Sequence, residues 1–285
     1  MVVFLGIALS FLLLGQVNGD WALPLVVLAA TCGGIFSKAG SGAVYAMVTM
    51  EGANVTSLLL PAPMILVFGA TLAVGLAGAT IKDVIHSFKA VVPAIKGKSP
   101  DMAGAIDQVV ALAEKARSEG LLALEQEAQE TKDPFLRGAL QNIADGTDGE
   151  DLRIMLEDEI ATKQKSDHTA SKFFKGLGGY APTIGIVGTV VSLTHVLENL
   201  SKPDELGHMI AAAFVATLWG LLSSNFIWLP IGDRIAKISE LEVDRMNLLL
   251  EGVLAVQEGA QPLLLRERLK AMVPAHKLKS SGKAG

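Results

Sequence analysis

Two threonines stand in apolar stretches that carry no charge before their ends. Thr189 lies in the run from Ala181 to about Leu200, and Thr217 in the run from about Met209 to Pro230. A hydroxyl donates and accepts hydrogen bonds without the cost of burying an ion. A threonine well inside each of two segments of membrane-spanning length therefore reads as a helical hairpin lining something polar. The local alternative is that both hydroxyls bond back to helix carbonyls or join neighbouring helices. Each run also holds a proline near one end, Pro182 and Pro230. Proline frees a carbonyl one turn earlier and kinks a helix, which reads either as mechanical coupling or as helix-end punctuation. His195 is a lone histidine in the first run, where packing or interface placement is favoured over proton relay.

An ion path through hydrocarbon normally needs an ionisable side chain at membrane depth. Leu58–Ala79, Ala181–Val196 and Met209–Pro230 contain no Asp, Glu, Lys or Arg. If these spans line such a path, its carboxylate comes from another chain.

The elements that would position these residues are membrane helices. The chain has 285 residues, 51% hydrophobic and 19% charged, with mean hydropathy +0.44, a balance that excludes an ordinary soluble domain. Net charge is −5, but the cations are placed unevenly. Lys82, Lys89, Lys96 and Lys98 follow the Leu58–Ala79 span, Lys165, Lys172 and Lys175 precede Ala181, and Arg234 and Lys237 follow Pro230. By the positive-inside rule the 81–176 block and the C-terminal tail are cytosolic. Before Glu51, the apolar runs Met1–Leu14, Trp21–Phe36 and Ala39–Met50 leave the crossing number at four or six, and a cleaved signal peptide is disfavoured because no basic residues open the first run. Cys32 is the one cysteine; it excludes an intrachain disulfide and reads as a buried thiol.

The expected fold class is all-α: a polytopic helical membrane protein with a large cytosolic helical insert. Its parts are 1–56 as N-terminal membrane segments, 57–80 as a membrane helix, 81–176 as a cytosolic domain, 177–232 as the hairpin and 233–285 as a C-terminal helix with a basic tail. Within the insert, helical periodicity runs over Met102–Ala116, breaks at Gly120, resumes over Leu121–Ala128, is interrupted at Lys132-Asp133-Pro134 and returns over Phe135–Ala144. Asp148 is placed to cap a helix beginning near Gly149. Arg117 and Glu125 flank Gly120; either one helix shows both on one face two turns apart, or Gly120 turns the chain. Charges at such positions are usually solvated. The basic tail, Arg266, Arg268, Lys270, His276, Lys277, Lys279 and Lys283, is expected near anionic headgroups, with the last ten residues disordered. The insert shows no Walker-type loop, HExxH, CxxC or GxSxG.

Taken together, several of these residues resemble one family. Gly185-Ile-Val-Gly188-Thr189 after Pro182, His195 seven residues after Gly188, and Ala213-x-x-Ala216-Thr217-x-x-Gly220 ahead of Pro230 resemble the third and fourth membrane helices of MotA-type flagellar stator subunits, in the MotA/TolQ/ExbB proton channel superfamily. Glu51-Gly52 with Pro61-Ala62-Pro63, Asp133-Pro134-Phe135, Asp145-Gly146-Thr147-Asp148 and Glu251-Gly252 with Gln257-Glu258-Gly259 extend the match over about 51–272. The N-terminus departs from the pattern, being some twenty-five residues longer before Glu51.

The resemblance implies a non-enzymatic, multi-pass subunit of the bacterial cytoplasmic membrane, serving motility and chemotaxis. It implies a MotB-type partner that supplies the membrane aspartate, with this chain in a ring of several copies, expected to be a pentamer. Thr189 and Thr217 would line the ion path, Pro182 and Pro230 would couple ion uptake to movement, and Arg117 and Glu125 would face the rotor protein FliG. No cofactor is expected beyond the transported H⁺ or Na⁺, and no nucleic acid. The other readings are an ExbB/TolQ-like channel, which usually makes three crossings, a passive membrane scaffold, and a membrane enzyme, for which no nucleophile, metal or phosphate constellation is visible.

Overall fold

A computed structural model describes residues 58–97, 99–201 and 203–278. The readings made for Met1–Leu14, Trp21–Phe36, Cys32, Ala39–Met50, Glu51-Gly52, Lys98, Lys279 and Lys283 lie outside the described residues. Among those described, every element is helical. In chain order they are α1 (Pro61–Ala77), α2 (Ile81–Lys96), α3 (Met102–Glu119), a 3₁₀ turn (Leu121–Ala123), α4 (Leu124–Glu130), α5 (Pro134–Ala144), α6 (Gly149–Glu198), α7 (Pro203–Ser223), a π-helical segment (Ser224–Trp228), α8 (Leu229–Gln257), α9 (Pro262–Ala271) and α10 (Ala275–Leu278). Two helical stretches, Gly149–Glu198 and Leu206–Gln257, are long and apolar enough to cross a membrane, and α1 is a shorter apolar helix.

The chain divides into two compact units, one containing residues up to Ile95 together with Thr169–Ile235, the other Lys96–His168 together with Ala236 onward. In the first, α1 lies on α7. Met64 and Val67 of α1 are buried with Val215 and Trp219 of α7. Phe68 stands 6.0 Å from the Trp219 ring, and the Trp219 indole N–H donates to the Leu58 carbonyl at 2.7 Å. That bond gives a buried indole the partner it needs. A second cluster joins Ala94 of α2 to Ala170, Phe174, Leu177 and Ala181 of α6 and to Trp228 and Ile235.

The other unit is built as a water-soluble helical domain is built. Asp101 accepts from the Gly104 N–H at 3.1 Å, Asp133 from Phe135 at 3.1 Å and Asp148 from Glu150 at 3.0 Å. Each carboxylate thus satisfies an N–H that the first helical turn leaves open and sits at the positive end of the helix dipole. The breaks at Gly120, at Asp133-Pro134 and before Gly149 fall where the sequence places them. Gly120 has φ +88°, a backbone region that only glycine enters freely. The core joins Ile106, Val109 and Leu112 of α3, Leu136 and Leu140 of α5, Leu152 and Leu156 of α6, Leu249 and Val253 of α8, and Leu265 and Leu269 of α9. Gly252 lets Val109 press onto the α8 backbone, since a Cβ there would lie 3.1 Å from Val109 Cγ2. Ion pairs rim this core. Glu251 accepts from Arg153 at 3.0 Å and Arg268 at 2.8 Å, and Arg245 meets Asp133. Burial alone lowers the Lys163 pKa, but hydrogen bonds to Glu242 and Asp167 outweigh it and raise the group above its ordinary value.

The described cations of the basic tail are engaged in ion pairs. Arg266 meets Asp107, Arg268 meets Glu251, Lys270 meets Glu267 and Lys277 meets Asp244, all within this unit. These four side chains are committed to neighbouring carboxylates, which sequence spacing cannot show because the partners are mostly distant in the chain.

Candidate ion path and coupling site

The α6/α7 hairpin is held by backbone meeting backbone. A Cβ added at Gly185 would lie 2.9 Å from the Ala216 carbonyl oxygen and 3.2 Å from Thr217 Cα; one at Gly220 would lie 2.7 Å from the Ala181 oxygen and 3.1 Å from Gly185 Cα. Both separations are too short for any side chain larger than hydrogen. Small residues at helical spacing thus let two apolar helices close to contact, the usual means of association where lipid offers no hydrophobic driving force. One turn beyond Gly185, the same contact brings together the two threonines that the sequence singles out.

The local reading of those threonines is the one the contacts realise, for Thr189 bonds back to its own helix and also joins its neighbour. The Thr189 hydroxyl lies 3.1 Å from the carbonyl of Gly185 in its own helix and 3.1 Å from that of Ala213 in α7, and it also hydrogen-bonds Thr217 Oγ1. A hydroxyl has one proton. With that proton on either carbonyl, Thr189 accepts from Thr217, which leaves both lone pairs of the Thr217 oxygen and one of Thr189 as the acceptor capacity of the pair. Both residues are half-buried, within an uncharged segment of each helix.

Pro182 does not end its helix: α6 runs unbroken through it over 50 residues. The carbonyl that its missing N–H leaves open, four residues earlier, belongs to Gly178. Ser224 supplies the partner, its hydroxyl donating to the Gly178 oxygen at 2.6 Å while 2% exposed. Ser224 also begins the π-helical segment, whose wider turn closes with the Leu229 N–H bonded to the Ser224 oxygen. Pro230, which cannot donate, follows immediately. A Cβ on Gly178 would meet the Leu229 side chain at 2.6 Å, so Leu229 beds against that glycine. The two prolines therefore flank one contact, made by Gly178, Ser224 and Leu229. Sequence reasoning singled out the prolines and missed Ser224. Its signal was the pair Ser223-Ser224 within an apolar helix, together with a glycine four residues before a proline.

Arg117 closes α3 and Glu125 opens α4; both are exposed, and neither has an ion-pair partner among the described residues. Of the two arrangements the sequence left open, the chain adopts the turn at Gly120. Lys115 reaches Glu127 across that turn at 2.7 Å, and this hydrogen bond raises the Lys115 pKa. Glu127 is thus the carboxylate drawn back to α3. The exposed Leu122 lies in the 3₁₀ turn between Arg117 and Glu125. His195 is exposed near the end of α6, 3.7 Å from Glu198, rather than packed. Among the described residues no group of three His, Cys, Asp or Glu is arranged to hold a metal ion.

Comparison with known proteins agrees with this arrangement. A family described as the MotA/TolQ/ExbB proton channel family matches residues 127–248. Motility protein A of Bacillus subtilis (strain 168) is 33% identical over 229 residues, 79% of this chain and 84% of that protein. Chemotaxis protein PomA of Vibrio alginolyticus is 30% identical over 217 residues, 76% of this chain and 83% of that one. Among solved structures, the flagellar MotAB stator complex from Bacillus subtilis has a chain with a TM-score of 0.78 at 28% identity, covering 88% of this chain and 96% of that one. C. jejuni MotAB gives a TM-score of 0.82 at 22% identity, covering 90% and 98%, a likeness of fold. An ExbB/TolQ-like role is not favoured by relatives named for motility. This chain belongs to the motility protein A group of the MotA/TolQ/ExbB proton channel family.

Proposed function

We propose that this chain, a flagellar motor stator subunit, forms with a MotB-type partner an ion path whose traffic is converted into torque on the rotor. The observation that carries the reading is the hydrogen-bonded Thr189/Thr217 pair on a hairpin with no charge of its own. The carboxylate that takes up the ion then belongs to the partner, and Thr217 oxygen is an acceptor open to the O–H of its protonated form. Neutralising that carboxylate changes what the threonine pair bonds, and the Gly178–Ser224 bond beside Pro182 and Pro230 is the nearest point where the helices could yield. A hydroxyl pair serves H⁺ or Na⁺ equally well.

The same reading places the chain as a multi-pass protein of the cytoplasmic membrane, with the 81–176 block and the C-terminus cytosolic, in a ring of copies, five by family resemblance, around the partner's helices. Arg117 and Glu125, unpaired and exposed on either side of a leucine-bearing turn, suit a charged partner surface, that of FliG. The decisive experiment is Thr217→Val, which keeps the shape and removes the hydroxyl. Losing one hydrogen-bond partner beside a desolvated carboxylate costs about 1–3 kcal/mol. In cells where this chain is the sole stator subunit of its kind, bead-assay torque should fall sharply while the amount of assembled complex is unchanged. Wild-type torque under high load would refute the assignment.

A further inference from the structure

Just beyond Pro230, the first turns of α8 are bonded to two other helices. Ser171 of α6, 3% exposed, donates its hydroxyl to the Gly232 carbonyl at 2.8 Å. A Cβ at Gly232 would lie 3.0 Å from the Ser171 carbonyl oxygen, so the two backbones touch there. Two residues on, the Arg234 Nε–H donates to the Ala94 carbonyl of α2 at 3.0 Å. Asp233 also pairs with Lys175 at 2.9 Å, but both side chains are exposed, where an ion pair holds little.

The Ala94 carbonyl is one that needs a partner. Helix α2 ends at Lys96, so its last four carbonyls, from Pro93 to Lys96, have no donor within the helix. Pro93 stands inside α2 and lacks an N–H, which leaves the Lys89 carbonyl open as well. The last turn of α2 is therefore weakly held by its own backbone. An arginine at that end meets both an open carbonyl and the negative end of the helix dipole. The Ala94 side chain is buried in the same cluster as Ala181, Trp228 and Ile235, which stand close to Pro182 and Pro230 in the chain.

The bonds on either side of Pro230 define what can yield. Ser224 holds Gly178 before it, and Gly232 is held by Ser171 after it. The stretch between them contains the π turn and Pro230, where the regular helical ladder is interrupted and bending is least opposed. Helix α2 is remote from that stretch in the chain and shares its movement only through what fastens it to α8.

We propose that Arg234 is a positioning residue for the conversion of ion uptake into torque: it fastens the end of α2 to the part of α8 beyond Pro230, so that α2 moves with α8 when the segment at Pro230 yields. Movement of α2 matters because the chain passes directly from it, through residues 97–101, into α3, which ends close to Arg117. The inference rests on the function proposed above and deepens it by naming the bond that transmits. Arg234 has no part in taking up the ion.

The test is made in cells in which this chain is the sole stator subunit of its kind, with a bead on the filament and rotation recovering in steps as complexes join the motor. The number of steps reads assembly and recruitment; the height of a step reads the torque of one complex. Arg234→Gln keeps an N–H as many bonds from the backbone as the arginine Nε, and Arg234→Asn carries the same amide one bond too short. Arg234→Asn should lower the step height with the step count unchanged, and Arg234→Gln should hold the height. The ion concentration that half-saturates rotation should be the same for all three chains. Fewer steps of full height would make Arg234 a packing residue, equal losses in both variants would leave the bond without a role, and a shifted half-saturating concentration would move Arg234 into the ion path; each overturns the proposal. If Arg234→Asn does not assemble, Arg234→Met, which reaches as far but donates nothing, is compared with Arg234→Gln in its place. Full step height for Arg234→Asn beside a lowered height for Thr217→Val defeats this inference alone; full height for both defeats the ion-path reading beneath it.

Discussion

The hairpin and the helical domain reach tight packing by opposite means. In the domain, large side chains such as Leu136, Leu152 and Leu249 fill the space between helices, and carboxylates cap the helix ends. In the hairpin, Gly185 and Gly220 remove the space, and the polar work is done by three hydroxyls, Thr189, Thr217 and Ser224, bonded to each other or to carbonyls. A core of large side chains degrades by degrees, because a cavity costs in proportion to its size. Contact between backbones has no such reserve. The difference teaches that substitutions in the two regions should fail in different ways.

The sharpest break in the comparison is Gly220→Val. Its Cβ would lie 2.7 Å from a main-chain oxygen that has no rotamer by which to move away, so the hairpin must separate and take the threonine pair with it. Loss of assembled complex and of swimming is the expected result; full motility would mean that the helices need not touch. Next comes Leu136→Ala, fully buried in the domain, at about 2–5 kcal/mol. It should lower the melting temperature and leave torque intact at a permissive temperature. A motor stopped at every temperature would show that the two regions do not fail independently.

Ser224→Ala leaves the Gly178 carbonyl buried without a partner, at about 1–3 kcal/mol. Torque should drop while complex yield holds, and Ser224→Thr should recover part of it if the helix admits the extra methyl. Yield and torque falling together would reduce Ser224 to a packing residue. The smallest effect on stability belongs to Arg117→Glu and Glu125→Lys, which break no ion pair; the domain should melt as before. Stator recruitment should nevertheless weaken, since like charges facing a partner surface oppose docking, and a compensating reversal on FliG should restore it. Unchanged recruitment for both would move the docking face elsewhere on the domain.

How much of this was legible in the sequence also differs between the regions. The domain's breaks could be read because glycine, proline and capping aspartates act locally, as Gly120, Pro134 and Asp148 do. The hairpin reading put Thr189 and Thr217 on paired segments, but that their hydroxyls bond each other was not legible in it. Nor was the continuity of α6: its polarity changes near Lys175, so one 50-residue helix reads as a helix near Gly149 and a separate apolar span from Ala181. A proline whose lost bond is replaced by a serine 46 residues away leaves no local mark. Nor does the contribution of Leu249 and Val253 to a core built mostly a hundred residues earlier.

Glu251 carries a consequence of another kind. It is the one anion between Arg153 and Arg268, which approach it from α6 and α9. Exchanging it for a neutral residue would remove two attractions at once, leaving Arg153 with Glu157 at 3.8 Å and taking from Arg268 the carboxylate it meets. The three positions, scattered over more than a hundred residues of the chain, are therefore energetically coupled: what a change at either arginine costs depends on whether the glutamate is present.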